Sequence, residues 1–317
     1  MRAYVIRKLM LMIPILLGIV AVSFVIVHIA PGDPTTVMVS PKIKPADLAR
    51  IKSNLGLEEP LSVQFVKWFR NVLQFDFGVS FISGRKVSDV LKEKIPNTLL
   101  LMGTGIFVAL VTSIFLGTLS AVKYKSVFDW FISLVTIFGI SIPVFWLALT
   151  MIMLFSVELG WLPATGMYNL KLDQIKLWDR IVHMIMPVFC IATPRIARWT
   201  RYIRANMLEV IHQDYILTAK SKGLQEKVVI YKHALKNAMI PMVTLLGLSL
   251  PAIIGGSFII ESIFGWPGMG LTAVDAVFQR DYPVILAINT ISAIMVLVCN
   301  FLADIAYAYL DPRVRYS

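Results

Sequence analysis

Apolar runs separated by short polar breaks dominate the chain. Six of them occupy residues 9–29, 98–122, 130–157, 181–197, 239–260 and 284–310. A helix crossing about 30 Å of hydrocarbon needs roughly twenty predominantly apolar residues, so five runs are long enough outright. The run at 181–197 is short and carries Pro187, Pro194 and Arg195. It is expected to end early at its cytoplasmic side, letting Arg195 reach water. Pro143 inside the third run predicts a kink, because proline frees a carbonyl one turn back. Pro31-Gly32-Asp33-Pro34 closes the first run, and the polar segment to Asn97 predicts a long loop. Its rings at Phe65, Trp68, Phe69, Phe75 and Phe77 suit either the membrane interface or a small folded cap. The pattern predicts an all-α integral membrane protein with about six transmembrane helices. Its organisation is a first helix at 1–30, an external loop or cap at 31–97, and a five-helix core at 98–317.

The longest lysine-rich polar stretch between runs is 214–238. Asp214 is placed to cap a short helix, with Lys220 and Lys222 near its end and Gly223 at the position where glycine ends helices. Beyond Gly223, the positions Leu224, Val228, Tyr231, Leu235 and Ala238 recur at three- and four-residue steps and predict a second, amphipathic helix. Two helices joined by a glycine make either a rigid docking knob or a solvated linker.

Composition narrows the class. Of 317 residues 57% are hydrophobic, and the mean hydropathy is +0.76, which excludes a soluble domain with an ordinary polar surface. The formal charge of +11 resides in loops, where it reports orientation and lipid contact before nucleic acid, and no nucleic-acid partner is expected. Basic residues gather at Arg2, Arg7 and Lys8, at Lys123 and Lys125, through 198–236, and at Arg313 and Arg315. The opposite side has Lys171, Lys176, Arg180 and Arg280. Both termini and the knob are therefore expected in the cytoplasm.

Catalytic signatures are missing. No G-x-x-x-x-G-K-[ST], G-x-S-x-G or H-E-x-x-H occurs, and neither Cys190 and Cys299 nor the four histidines have ligand spacing. No enzyme activity, cofactor or metal is expected of this chain. Asp304 is the clear acid inside a run, and it faces a protein interface or snorkels toward the cytoplasm. Gly255, Gly256 and Ser257 leave room for a lumen or for close helix packing. The turn-rich segment 261–283, with GWPGMG and RDYP, is too structured for a plain connector and is expected to fold back toward the membrane. Its Glu261, Asp275, Arg280 and Asp281 are candidates for an outer gate or a structural cap.

LTAKSKG at 217–223 with HALKNA at 233–238 resembles the EAA loop of bacterial ABC-importer permeases, whose small residues and glycine define a coupling helix. Ala219 and Gly223 match its most constrained positions. Leu217, Thr218, His233 and Lys236 stand where the general pattern has Glu, Ala, Ile and Pro, as in the dipeptide, oligopeptide and nickel permease family. Other stretches are similar to that family along the whole chain. They include APGDP at 30–34, LGLEEPLSVQF at 55–65, IPNTLLL at 95–101, SIPVFWLAL at 141–149 and LGWLPATG at 159–166. FGWPGMG at 264–270, RDYPV at 280–284 and LDPRVR at 310–315 complete the set.

The resemblance is to the first of the two permease subunits of such systems. It implies a peptide or similar solute as cargo, a second homologous permease subunit, two cytoplasmic ATPase subunits that carry ATP and Mg, and an extracytoplasmic solute-binding protein. It also implies ATPase contact through the loop 198–238, at Asp214, Tyr215, Thr218, Ala219, Lys220, Lys222, Gly223, His233 and Leu235. A secondary transporter would need coupling-ion ligands or broken-helix repeats, and a non-transporting scaffold would use the knob only for docking.

Overall fold

The computed structural model describes residues 2–30, 59–169 and 177–310, and these are helical apart from turns and one isolated bridge, Val79 with Lys86. The motif stretches at 31–34, 55–58 and 311–315, and Lys171 and Lys176, lie outside them. α1 is Arg2–Ile29, α2 Leu61–Leu73, α3 Val87–Val122 and α4 Val127–Ser141. α5, Val144–Met151, continues as a π-helix over Ile152–Glu158, and α6 is Leu177–Ile211. α7 is Asp214–Ser221. α8, over 226–238, is α-helical at Glu226–Val228 and Leu235–Ala238 and wound as a π-helix over Val229–Ala234. α9 is Ile240–Gly255, α10 Phe258–Ile263, α11 Met269–Phe278 and α12 Tyr282–Leu310. Among the described residues four helices, within α1, α3, α6 and α12, are long and apolar enough to cross a membrane, and the count reaches six when the bent pairs α4–α5 and α9–α10 are each taken as one span.

α3 and α6 pack along their length and form the spine. Gly105 and Gly117 permit the approach: a Cβ at Gly117 would lie 2.9 Å from Cβ of Ile203 and 2.9 Å from the carbonyl oxygen of Thr200. Toward one end, Ile106, Ala109, Ala121, Trp199, Ile203 and Met207 form a buried cluster that also takes in Ile216 and Ala219 of α7. Leu101, Met102, Met184, Met186, Ile260 and Trp266 close the other end. α1 lies against α12, where Phe24 and Val27 meet Tyr282 and Leu286, and Lys8 pairs with Asp304. An intramembrane acid thus finds a cation on the neighbouring helix.

Several expectations are corrected. α6 does not end at Ala197; it runs unbroken through Pro187 and Pro194 to Ile211. Arg195 is half-buried and donates to the Ile191 carbonyl at 2.8 Å, in the turn that contains Pro194. Pro143 does more than kink its helix: α4 and α5 meet at 100°. Proline fixes its own φ and biases Ile142 to extended backbone, so the ladder stops and restarts. α3 begins at Val87, well ahead of the apolar run, because Val87 and Leu91 of its first turns are buried in a cluster with Met269 and Ala276 of α11 and Val284 and Ala287 of α12. The loop aromatics divide: Phe65 and Trp68 pack on Phe24 of α1, Phe77 enters a separate buried cluster, and Phe75 is exposed.

Candidate functional site

The polar knob is α7, Gly223 and α8. The N-cap is Gln213 rather than Asp214, because the Gln213 carbonyl accepts from Ile216 (2.9 Å) and Leu217 (3.3 Å), which puts Asp214 inside the first turn. There its carboxylate still complements the helix dipole. Gly223 has φ +75°, and a Cβ placed on it would meet no atom within 4 Å. Backbone conformation, not crowding, selects glycine here. Its N–H donates to the Lys220 carbonyl at 2.9 Å, and that of Lys222 to Thr218 at 3.1 Å, tying off the last turn.

Ile216 and Ala219 face the shared core, while Asp214, Tyr215, Leu217, Thr218, Lys220 and Lys222 are exposed. The Thr218 hydroxyl donates to the Asp214 carbonyl at 3.0 Å, and Asn237 Nδ2 donates to the Tyr215 hydroxyl at 2.8 Å, bracing α7 against α8. His233 and Leu235 are half-buried on α8.

The buried face of α8 is Val229, Ala234 and Ala238, whereas Tyr231 and Leu224, expected to face inward, are exposed. The π-wound turn explains the shift beyond Val229, since it adds a residue per turn and makes the inward step from Val229 to Ala234 five residues rather than four, while Leu224 lies ahead of α8 altogether.

A second node forms at the other end of α3. Glu261 is completely buried. Its Oε2 accepts from the backbone N–H of Gly270 (2.7 Å) and Leu271 (3.2 Å), and its Oε1 accepts from the Thr98 hydroxyl (3.0 Å). Thr98 Oγ1 in turn accepts from the Met269 N–H at 2.8 Å. Glu261 and Thr98 therefore cap the first turn of α11 from two other helices, and the carboxylate sits at the positive end of the helix dipole. Around it stand Gly256, Gly268 and Gly270. A Cβ at Gly256 would fall 2.8 Å from Oε1, one at Gly270 2.9 Å from Oε2, and one at Gly268 would collide with both Oε2 and Thr98 Oγ1. Trp266, fully buried, donates from Nε1 to the Asn97 carbonyl (2.9 Å), and Asn97 Nδ2 donates back to the Pro267 carbonyl (2.9 Å).

The proposed gate residues fall into two neighbourhoods. Gly256, Ser257 and Glu261 belong to this node; the Ser257 hydroxyl accepts from the Ile260 N–H at 3.3 Å to start α10, and Gly255 ends α9. The space left by Gly256 is filled by Glu261 and Thr98. Asp275 and Asp281 instead line a cleft of about 250 Å³ with Ser80, Arg85 and Lys94. Asp281 is buried there, accepting from the Ser80 hydroxyl at 2.5 Å and the Phe81 N–H at 3.1 Å. Arg280 adopts φ +53° in the turn before α12. Sequence reasoning does not single out Asn97, Thr98 or Ser80; the first two are the polar pair inside IPNTLLL, where an apolar run begins.

A long helical spine, a bent second pair and a core-anchored knob between spans are the architecture of a membrane permease subunit. The chain belongs to the family of binding-protein-dependent transport system inner membrane components, whose model matches residues 113–316, with the corresponding N-terminal model matching residues 1–102. It is a multi-pass inner membrane protein of that transport class. Over its full length it is 48% identical to the whole of the oligopeptide transport system permease protein AppB of Bacillus subtilis. It is 36% identical to the dipeptide transport system permease protein DppB of Alkalihalophilus pseudofirmus, again with both chains covered completely. Identity is also 36% to the glutathione transport system permease protein GsiC of Escherichia coli K12, with 99% of each chain covered. A solved chain of the MetNI methionine ABC transporter, in an inward-facing form, shares the fold with a TM-score of 0.55 at 18% identity, over 70% of this chain and 96% of that one.

Proposed function

We propose that this permease subunit carries peptides, or solutes of similar size and polarity, across the inner membrane as half of a pseudo-symmetric pair with a second homologous permease. Two cytoplasmic ATPase subunits bind ATP and Mg and supply the energy, an extracytoplasmic binding protein delivers cargo, and this chain is non-catalytic, with no cofactor or metal of its own. Full-length relatedness to permeases named for oligopeptides, dipeptides and glutathione supports the cargo class.

The observation that carries the coupling role is the dual character of α7. Its inner face, Ile216 and Ala219, shares a core with α3 and α6, while Leu217, Lys220 and Lys222 face outward. A push on the outer face is transmitted to the spine without an intervening flexible joint. Closure of an ATP-bound ATPase dimer around α7 would then move the spans as bodies, ATP acting as a ligand with different affinities for the two states. The basic distribution along the chain supports placing the knob and both termini in the cytoplasm.

The test is purification of the tagged chain from native membranes, with identification of co-purifying proteins and ATPase assays with and without a peptide-loaded binding protein. Recovery of a second permease and ATPases, with hydrolysis stimulated by the loaded binding protein, is the expected result. Recovery of the chain alone, with proton- or sodium-driven uptake in vesicles, overturns it.

A further inference from the structure

Among the described residues, the corner between α3 and α4 holds two lysines, Lys123 and Lys125, beside an acid already taken by an arginine. Asp129 is 3% exposed. It takes a bidentate pair from Arg204 of α6, Nε at 2.6 Å and Nη2 at 2.7 Å, together with the Ser120 hydroxyl and the Lys125 N–H at 3.0 Å. Four donors occupy this carboxylate, so it has little capacity left for the neighbouring lysines. Arg204 spends two of its five N–H donors there. Its guanidinium carbon lies 5.5 Å from the centre of the Tyr124 ring, and Lys125 Nζ lies 5.3 Å from the same ring. Lys123 Nζ sits 5.6 Å from the centre of the adjacent Phe128 ring. Arg204 and Lys125 thus share the Tyr124 ring and Lys123 lies over Phe128; Asp129 balances Arg204, which leaves the two exposed lysines as the excess charge of this corner. The first-turn N–H groups of Val127 and Phe128, at the positive end of α4, add to the same field.

Lys125 has φ +60°, a conformation that glycine adopts freely and that costs other residues about 1–2 kcal/mol. Beside the cations the surface turns apolar. Val127, Trp130 and Phe131 are 88%, 74% and 60% exposed, and they continue into the exposed face of α4 at Leu134, Val135 and Phe138. Cations next to an outward tryptophan and then hydrocarbon is the profile of a bilayer interface.

We propose that Lys123 and Lys125 bind the phosphate of an anionic phospholipid, its acyl chains lying along the exposed face of α4 that begins at Val127 and continues through Phe131 and Leu134. The contiguous apolar face favours a lipid over a soluble anion or an acidic protein segment. The assignment rests on the reading that this end of the bundle is cytoplasmic, and it places a lipid at the corner that Asp129 ties to Arg204 of α6, the helix that leads into α7.

The test uses the intact complex reconstituted in nanodiscs of mixed phosphatidylglycerol and phosphatidylcholine, with retained lipid identified by native mass spectrometry after extraction. Wild type is expected to retain phosphatidylglycerol selectively, and the double variant K123Q/K125Q to retain roughly tenfold less of it, with phosphatidylcholine unchanged. Equal phosphatidylglycerol retention by both proteins overturns the site. Displacement of the lipid by millimolar inorganic phosphate overturns lipid as the occupant. Unchanged lipid retention with loss of the ATPase subunits makes the corner a protein contact and also overturns it. Labelling of a Ser126→Cys variant only from outside intact cells would defeat the topological reading, separately from the headgroup chemistry.

Discussion

Glu261 and Gly270 meet at 2.7 Å, carboxylate oxygen to backbone N–H, in a pocket sealed from solvent. The contact locks α11 to α10, and through Thr98 to α3, so the segment after α9 is fastened to the spine rather than trailing from it. Glu261→Gln keeps the shape, but its amide oxygen can serve only the first turn of α11, so its NH2 faces Thr98 and the Thr98 hydroxyl proton loses its acceptor. Loss of about 1–3 kcal/mol follows, the usual cost of leaving buried polar groups unsatisfied. Thermal unfolding of the purified subunit checks this, and an unchanged midpoint would remove Glu261 from the account of how α11 is held.

Gly268→Ala tests the same node from the other side. The added methyl collides with Glu261 Oε2 and Thr98 Oγ1, and overpacking of this kind costs about 1–3 kcal/mol. Pairing it with Thr98→Ser, which removes a methyl but retains the hydroxyl, should leave the collision in place. Additive losses of stability in the double variant are the expected reading.

At Gly223 the prediction differs in kind. No neighbour obstructs a side chain, so Gly223→Val should cost about 1–2 kcal/mol through its backbone alone. Gly223→Asn, which tolerates positive φ, should recover most of the loss. Binding-protein-stimulated ATPase activity of the assembled complex is the readout, and normal stimulation in the valine variant would argue against a fixed exit from α7.

Leu217 is 54% exposed on the outer face of α7. Leu217→Glu should change the stability of the isolated subunit by no more than about 0.5 kcal/mol, as for ordinary surface sites. Co-purification of the ATPase subunits should nevertheless fall severalfold. A variant that retains its partners fully would move the contact elsewhere on the knob.

Asp129→Asn removes the charge that holds Arg204 while preserving shape. Because Arg204 is partly exposed, the expected loss is about 1–3 kcal/mol rather than that of a fully buried pair. A double-mutant cycle with Arg204→Met isolates the pairwise contribution; near-additive losses would show that the pair contributes little.

The helices and the knob are legible in the sequence because each rests on local signals: hydrophobic run length, the glycine after Lys222, and the proline at 143. What escapes is set by contacts distant in sequence. Asn97 and Thr98 read as the polar start of an apolar run, and nothing local says that they meet Trp266 and Glu261 some 160 residues later. The face of α8 is hidden because one π-wound turn shifts the register after Val229. The length of α6 is hidden for a related reason: Pro187 and Pro194 are local helix breakers, yet packing along α3 carries the helix through both.

The uninterrupted course of α6 would give the proposed coupling a mechanical advantage. Its 35 residues span about 52 Å at 1.5 Å per residue, so if the helix turned as one body a tilt of about 5° at the end near Leu177 would sweep the end near Ile211 through about 4.5 Å. Both prolines lie on the far side of Arg204 from α7, leaving 195–211 as a stiff shaft joined directly to the knob. Under the proposed coupling, small angular changes beside Glu261 and large excursions at Leu217 would be one movement read at two radii.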